Sequence, residues 1–308
     1  MLRFVRYHRR LPKFRHPIRI SDKLALRILN GQASLLQKRM TDKVVCAELA
    51  RGISPKLRFK RIYAVYDTPE QFLLSSLPER FALKPNHASG LHRLVLDKSQ
   101  ENENELRTIV TDWLRSSYYR ASQEPHYCSI QPKVFAEELT LNATNFLPDE
   151  CRLFCFHGKV EFIEYEFGQT MDESVFVDRN WNRLQLRYKG QRPVASISRP
   201  SALEQAIEAA EKLSMGLDFV RVDLFDLEGE LVFNEISISP WGGLVRFEPD
   251  SADKLLGGYW RHYVAHEAVQ NDFTFIRVTD QSSPSQSGEI IAITPSAPSS
   301  ARHRKHCP

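Results

Sequence analysis

Apolar residues recur along this chain at two spacings, and the order of the spacings predicts its elements. Residues 20–52 carry the helical repeat in two stretches, SDKLALRILNG and MTDKVVCAELARG, each closing on a Gly suited to a helix C-cap. Residues 103–117 carry it again, with Leu106, Ile109, Val110, Trp113 and Leu114 on one side. A further helix opens at Ser201 as a capping box with Glu204, buries Leu203, Ile207, Ala210 and Leu213, and stops at Gly216. Strand-like runs lie between: 61–67, then 81–84 and 94–96 around the loop PNHASG, then 133–141, then a hairpin over 151–167 turning at His157-Gly158. No internal repeat is visible. From residue 281 the chain is rich in Ser, Pro and Gln and is expected to be a disordered tail.

The run FVRVDLFDLEGELVFNEISISPW at 219–241 sets acids inside an otherwise apolar hairpin. Alternation places Val220, Val222 and Leu224 on one face and Arg221 and Asp223 on the other. A three-residue loop centred on Gly229 would set Asp223 opposite Glu235, whereas a two-residue loop would set Asn234 there. The first register makes a paired-carboxylate site with Ser237 two residues along the same face. Two such acids repel, so they call for a cation between them or a shared proton. An all-oxygen set suits Mg²⁺ or Mn²⁺. The competing reading is a solvated sheet face with a salt bridge from Arg221.

Length and composition narrow the class without deciding it. At 308 residues, with 42% hydrophobic and 26% charged residues, the chain has the makings of a globular protein of two or three subdomains. The net charge is +4, but the first nineteen residues, MLRFVRYHRRLPKFRHPIR, hold seven Lys/Arg and no acid. Such a segment suits a polyanionic partner or peripheral contact with a membrane surface. It lacks the apolar core of a secretory signal, and no run has the length of a membrane span. Cys46, Cys128, Cys151, Cys155 and Cys307 have no zinc or disulfide spacing, which fits a reducing cytoplasm. His262 and His266 stand four apart on an expected helix with no third ligand near, so a surface helix is the simpler reading.

Acids that hold a divalent metal often serve nucleotide phosphates, so cations and a phosphate cradle are sought elsewhere. Lys84 runs from a strand into PNHASG, whose small residues could wrap phosphate oxygens with backbone N–H groups. The spacing is not that of a P-loop, and an ordinary hairpin loop with a surface Lys is the alternative. Lys43, early on its helix, is a second candidate, against a solvated residue.

Taken in order, TDKVV, VYDTPEQF, LPERFALKPNHASG, QPKVFAEEL, LPDECRLFCFHGKVEFI, DRNWNRL and DFVRVDLFDLEGELVFNEIS resemble the ATP-grasp enzymes, and more finely their teichuronopeptide-biosynthesis, TupA-like branch. The resemblance covers residues 16 to 260. It implies an α+β fold in which two lobes sandwich ATP, with boundaries at 1–60 (basic, mainly helical), 61–135 (small lobe), 136–278 (large lobe) and 279–308 (tail). It also implies roles. Lys43 and Lys84 would contact the α- and β-phosphates, with Asn86, His87, Ser89 and Gly90 in the loop closing over the β,γ-phosphates. Glu137, Glu138 and Leu139 would form the hinge that reads adenine, and Asp149 or Glu150 would lie near the ribose. Asp223, Glu235 and Ser237 would hold the metal, and Arg221 would steady the transferred phosphoryl group.

Three positions depart from the pattern: Ser237 where many ATP-grasp sites carry Asn and the branch often has Thr, Ala88 where the branch usually has Gly, and Arg152 in place of the branch's usual Lys. The implied activity is an ATP- and Mg²⁺-dependent carboxylate–amine ligase of surface-polysaccharide biosynthesis. Its partners would be a carboxylate donor and an amine acceptor, on an anionic polysaccharide or its precursor, and no nucleic acid. The expected location is the cytoplasm, with the basic N-terminus able to touch the inner face of the membrane. Two alternatives stay open, a glycosyltransferase and an ATP-binding module without turnover.

Overall fold

The computed structural model describes residues 1–261 except 169, 171, 172, 193, 195 and 196. His262, His266 and the Ser/Pro-rich tail therefore lie outside the described residues. In chain order the elements are α1 (Leu2–His8), α2 (Ile20–Leu29), α3 (Leu35–Thr41), α4 (Lys43–Ile53), β1 (Arg58–Phe59), β2 (Ile62–Tyr66), β3 (Phe81–Pro85) and β4 (Arg93–Val95). There follow α5 (Glu103–Arg115), α6 (Tyr118–Ser122), β5 (Val134–Glu137), β6 (Asp149–Phe156), β7 (Lys159–Glu166), β8 (Ser174–Asp178) and β9 (Arg187–Tyr188). The last are α7 (Leu203–Leu213), β10 (Phe219–Leu227), β11 (Glu230–Ser237), β12 (Phe247–Glu248) and α8 (Ser251–Tyr259). The mixture of helices and sheets is the expected α+β class.

Two sheets carry the site. The smaller has strand order β2-β5-β3-β4, and its apolar side packs with α5 through Leu106 and Val110. The larger has order β1-β11-β10-β6-β7-β8, antiparallel except where β1 joins β11. One face of the large sheet is continuously apolar: Val220, Val222, Leu224, Leu153 and Ile163 lie under Leu203, Ile207 and Ala210 of α7. The other face is divided. Phe154, Phe156, Phe162 and Phe219 pack with Leu24 of α2, Leu256 of α8 and Trp260, while the remainder is charged. Residues 1–60 do not stand apart, because α2 packs on α8 and β1 is a strand of the large sheet. The chain crosses to the small sheet at Lys60-Arg61, and the small sheet ends at Glu137.

Three local expectations are corrected. The helix beginning at Lys43 runs through Gly52 to Ile53, so Gly52 is no C-cap. At α7 the capping box is absent: Ala202 is the N-cap, without a side-chain bond, and the Glu204 carboxylate is taken by Arg199. The β10–β11 loop has two residues, Glu228 (φ 54°) and Gly229 (φ 94°), with Leu227 facing Glu230. That loop should bring Asn234 opposite Asp223, yet Glu235 stands there. Asn234 is taken up in a β-bulge between Phe233 and Glu235, which restores the acid pair by a different route.

Candidate nucleotide and metal site

The acids of the large sheet are not solvated. Asp223 is 1% exposed and Arg221 8%. Arg221 grips Asp223 with two parallel bonds, Nε to Oδ1 and a terminal nitrogen to Oδ2, both 2.7 Å, and reaches Ser237 Oγ at 3.4 Å. The bland reading of the hairpin supposed this ion pair but put it in water; here it is buried. Burial, with Glu150 and Glu235 nearby, pushes the Asp223 carboxyl up despite Arg221. Glu235 shifts the opposite way, because Lys43 and Arg221 outweigh its burial. Lys43 Nζ donates to Glu235 Oε2 at 3.0 Å.

Lys43 reaches that point because Asp42 caps α4, accepting from Val44 and Val45, so the helix begins directly over β11. The row continues across the sheet from Glu235 and Asp223 to Arg152 and Glu164. Arg152 donates to Glu150 at 2.7 Å and to Glu166 at 2.8 Å, and lies 3.5 Å from the fully buried Glu164. Burial lifts Glu166 to about 7 against the pull of Arg152.

Opposite them the small sheet presents Lys84 and Glu137 on neighbouring strands β3 and β5. Lys84 and Lys60 flank one Glu137 oxygen at 2.7 and 2.9 Å. Burial would raise the Glu137 carboxyl, but the two ammonium groups hold it at about 2. Burial, with Lys84 beside it, lowers Lys60 to about 8. Lys60 also donates to Asn234 Oδ1 at 2.7 Å, and Asn234 donates on to Glu150 at 2.6 Å. Lys60 thus binds both sheets from the crossover between them. The cavity bounded by Lys43, Lys60, Lys84, Glu137, Asn234 and Glu235 measures about 20 Å³. That is room for a water and not for a nucleotide.

The remaining expected residues divide. The Asn86 side chain donates to Asp42 and to Gln131 O and accepts from Lys133 N–H, while its carbonyl receives Lys43 N–H. His87 is bonded between Asn86 and Ser116 O. Both are buried, so they build the loop rather than reach into the cleft, and its exposed part is Ser89 and Gly90. Glu138 donates its N–H to Arg61 O at 2.8 Å and pairs with Arg58, and Leu139 follows half-buried. Glu150 shares the face of Asp223. Asp149 does not: parity sends it to the other side, where Tyr165 Oη and Gly168 N–H bind it. Lys60 was not singled out in the sequence, and Asn234 only as the residue that a two-residue loop would set opposite Asp223. Asn234 had a signal, since the apolar alternation Leu231, Phe233 resumes one step late at Ile236, Ile238.

The donor set suits Mg²⁺. Among the described residues no three His, Cys, Asp or Glu side chains gather into a metal site by themselves. Mg²⁺ is commonly held by one or two carboxylates and completed by phosphate and water, and Asp223 with Glu235 offers that. Each carboxylate oxygen has a second lone pair beyond the one given to Arg221 or Lys43.

Two α+β lobes meeting over paired acids and converging lysines define an ATP-grasp fold. The chain belongs to the TupA-like ATP-grasp family, whose sequence pattern it matches over residues 22–261. No curated protein matches the sequence. Similar solved structures include D-alanine–D-alanine ligase from Helicobacter pylori, 19% identical with a TM-score of 0.42, covering 67% of this chain and 55% of that one. D-alanine–D-alanine ligase from Bacillus anthracis complexed with ATP is 13% identical with a TM-score of 0.38, covering 65% and 54%. Phosphoribosylamine–glycine ligase from Thermotoga maritima is 13% identical with a TM-score of 0.38, covering 67% and 50%. The chain spans about half the length of these structures, and likenesses this distant add nothing to the family assignment.

Proposed function

We propose that the protein is an ATP- and Mg²⁺-dependent carboxylate–amine ligase acting in surface-polysaccharide biosynthesis. One observation carries the catalytic part of this reading: on the large-sheet side Asp223 pairs with Arg221 and Glu235 with Lys43, and on the small-sheet side Lys60 and Lys84 share Glu137, so acids and bases meet at the seam with each charge neutralised by another. A metal-bound nucleotide offers both signs of charge and can replace these partners at once. Its phosphates would take Lys43, Lys84 and the N–H groups of Ser89 and Gly90. Asp223 and Glu235, with Ser237, would hold Mg²⁺, which would supply charge neutralisation for the phosphates.

Lys43 and Lys84 would then stabilise the negative charge that develops when a carboxylate attacks the γ-phosphorus and the β,γ-bridging oxygen departs. Arg221, released from part of its hold on Asp223, would steady the phosphoryl group in flight. The products of that step are ADP and an acyl phosphate, and an amine then displaces orthophosphate to form the amide. Arg152, with Glu150, Glu164 and Glu166 around it, extends the charged floor away from the metal pair and would orient the far end of the nucleotide or the substrate. The polysaccharide setting rests on the family. Incubation with Mg²⁺-ATP and mixed carboxylate and amine acceptors should yield ADP and orthophosphate; AMP and pyrophosphate would sink the reading. Tight ATP binding without turnover would favour the non-catalytic module, towards which Ser237 and Ala88 point.

A further inference from the structure

On the same side of the large sheet as Arg221, a second cavity of about 340 Å³ lies beyond a wall of aromatic rings. The Arg221 guanidinium sits 6.0 Å from the Phe154 ring centre, Phe154 stacks on Trp241 at 5.3 Å, and Trp241 meets Phe247 edge-on at 5.8 Å. Phe247 lines the cavity together with His8, Arg10, Lys189, Arg246 and Glu248, and with Asp250 and Asp253. The wall is built under constraint. Trp241 is left-handed (φ 60°), its indole N–H donates to Tyr188 Oη at 3.0 Å, and His8 bonds Gly243 O at 3.1 Å. Backbone of this kind in a non-glycine residue clusters at functional sites.

The cavity is lined by three bases and three acids, but the acids are matched by other cations. Asp250 is held by Arg19 at 2.6 Å, and Glu248 by Arg187 at 2.9 Å. Arg10 is spent on Asp22 at 2.5 Å. Asp253 accepts from Ser21 N–H and Ser21 Oγ and stands 3.4 Å from Arg19 and 3.7 Å from Arg10. His8 is shifted down by burial and so is neutral near pH 7. Among the described residues, Lys189 and Arg246 have no acid partner, although Arg246 lies over the Tyr7 ring at 5.4 Å. They are brought together by backbone pairing, Lys189 N–H to Arg246 O at 2.8 Å.

We propose that this cavity binds an anionic group, a carboxylate or a phosphate, through Lys189 and Arg246, on a substrate that reaches past Trp241 toward Asp223 and Glu235. The anion site stands on its own geometry; its service to the reaction rests on the ligase reading. It gives the basic N-terminal segment a role as the cavity's outer wall. Recognition of this kind is charge-assisted and weakens as salt screens it.

The test is calorimetric titration of the full chain at low ionic strength with two dianions, inorganic phosphate and malonate. At least one should bind in the millimolar range or tighter, and the preferred dianion tells which chemistry the natural group has. Lys189→Glu, a change at an exposed position, and the Lys189→Gln/Arg246→Gln pair should each weaken binding by about tenfold or more. Affinity for Mg²⁺ with a non-hydrolysable ATP analogue should stay within about twofold, the cavity being separate from the lobe seam. No binding of either dianion to the unmodified chain, or equal binding by the variants, overturns the site. Failure of the ATP analogue alone would instead discard the ligase reading and leave the anion site standing.

Discussion

Asp223 and Glu235 face each other but do not tolerate loss equally. Asp223 is the sole acid gripping the buried Arg221 with both oxygens, so Asp223→Asn strands a guanidinium away from water. Breaking such a pair costs about 3–5 kcal/mol, and this variant should melt earlier as well as lose turnover. Simple relief of repulsion between the acids, which the sequence suggests, is outweighed by the cation set between them. Glu235 is paired with the part-exposed Lys43, which water can solvate if its partner goes. Glu235→Gln should therefore keep its melting temperature while ATP turnover falls by about 100-fold or more; near-normal turnover would remove Glu235 from the metal site.

Glu137 supplies a pH prediction. Its carboxyl is held at about 2 in the fold, below the ordinary carboxylate range, so its contribution to stability is complete above the unfolded value and is lost as pH falls from about 4.5 to 2. The amount is roughly 3 kcal/mol. In denaturant titrations across that window, the gap between the unmodified chain and Glu137→Gln should narrow with acidification. A constant gap would mean that Lys60 and Lys84 do not depend on its charge.

At the scale of elements, strands and long helices were legible because burial imposes their spacing, while short-range hydrogen bonds decided what was missed. The alternation of Val220, Val222 and Leu224 against Arg221 and Asp223 held in full, since α7, with Cys46 and Ala50 of α4, covers the first face. The sequence admits two loop lengths for the hairpin because turn and bulge compensate each other, and only the late return of apolar residues at Ile236 betrays the extra residue. Ser201 and Glu204 had the spacing of a capping box, but Arg199 competes for the Glu204 carboxylate. Lys60 was overlooked because one Lys in a short edge strand region looks solvated until Glu137 and Asn234 are brought to it from distant strands.

The bulge makes an unusual deletion tolerable. Removing Asn234 alone should straighten β11, leave Glu235 opposite Asp223 and keep Phe233 and Ile236 on the core side. The cost is the two side-chain bonds to Lys60 and Glu150, about 1–3 kcal/mol together. A cooperative thermal melt with binding of the ATP analogue retained supports this. Removing Val232 instead would turn Phe233 away from the core and should abolish the melt.

For the molecule as a whole, the family, the order of the lobes and the two acids with their lysines were readable, because each lies in a stretch whose local pattern is complete. The fate of the basic N-terminus was not, because Arg10 and Arg19 find their acids at Asp22, Asp250 and Asp253, mostly some two hundred residues away. No described helix is long and apolar enough to cross a membrane. The nearly filled seam has a thermodynamic consequence. Metal alone would draw Glu235 from Lys43 and loosen Asp223 from Arg221, leaving those cations short of a partner, and metal-free ATP would draw Lys43 away and leave Glu235 short of one. Only the two together leave no buried charge alone, so each should raise the other's affinity by the same factor, as linkage requires. Titrating the ATP analogue with and without Mg²⁺, and Mg²⁺ with and without the analogue, should give matching ratios of about ten or more. A ratio near one in both pairs of titrations would mean that the seam opens without exchanging its ion pairs, and a chain that does exchange them holds neither ligand half-loaded.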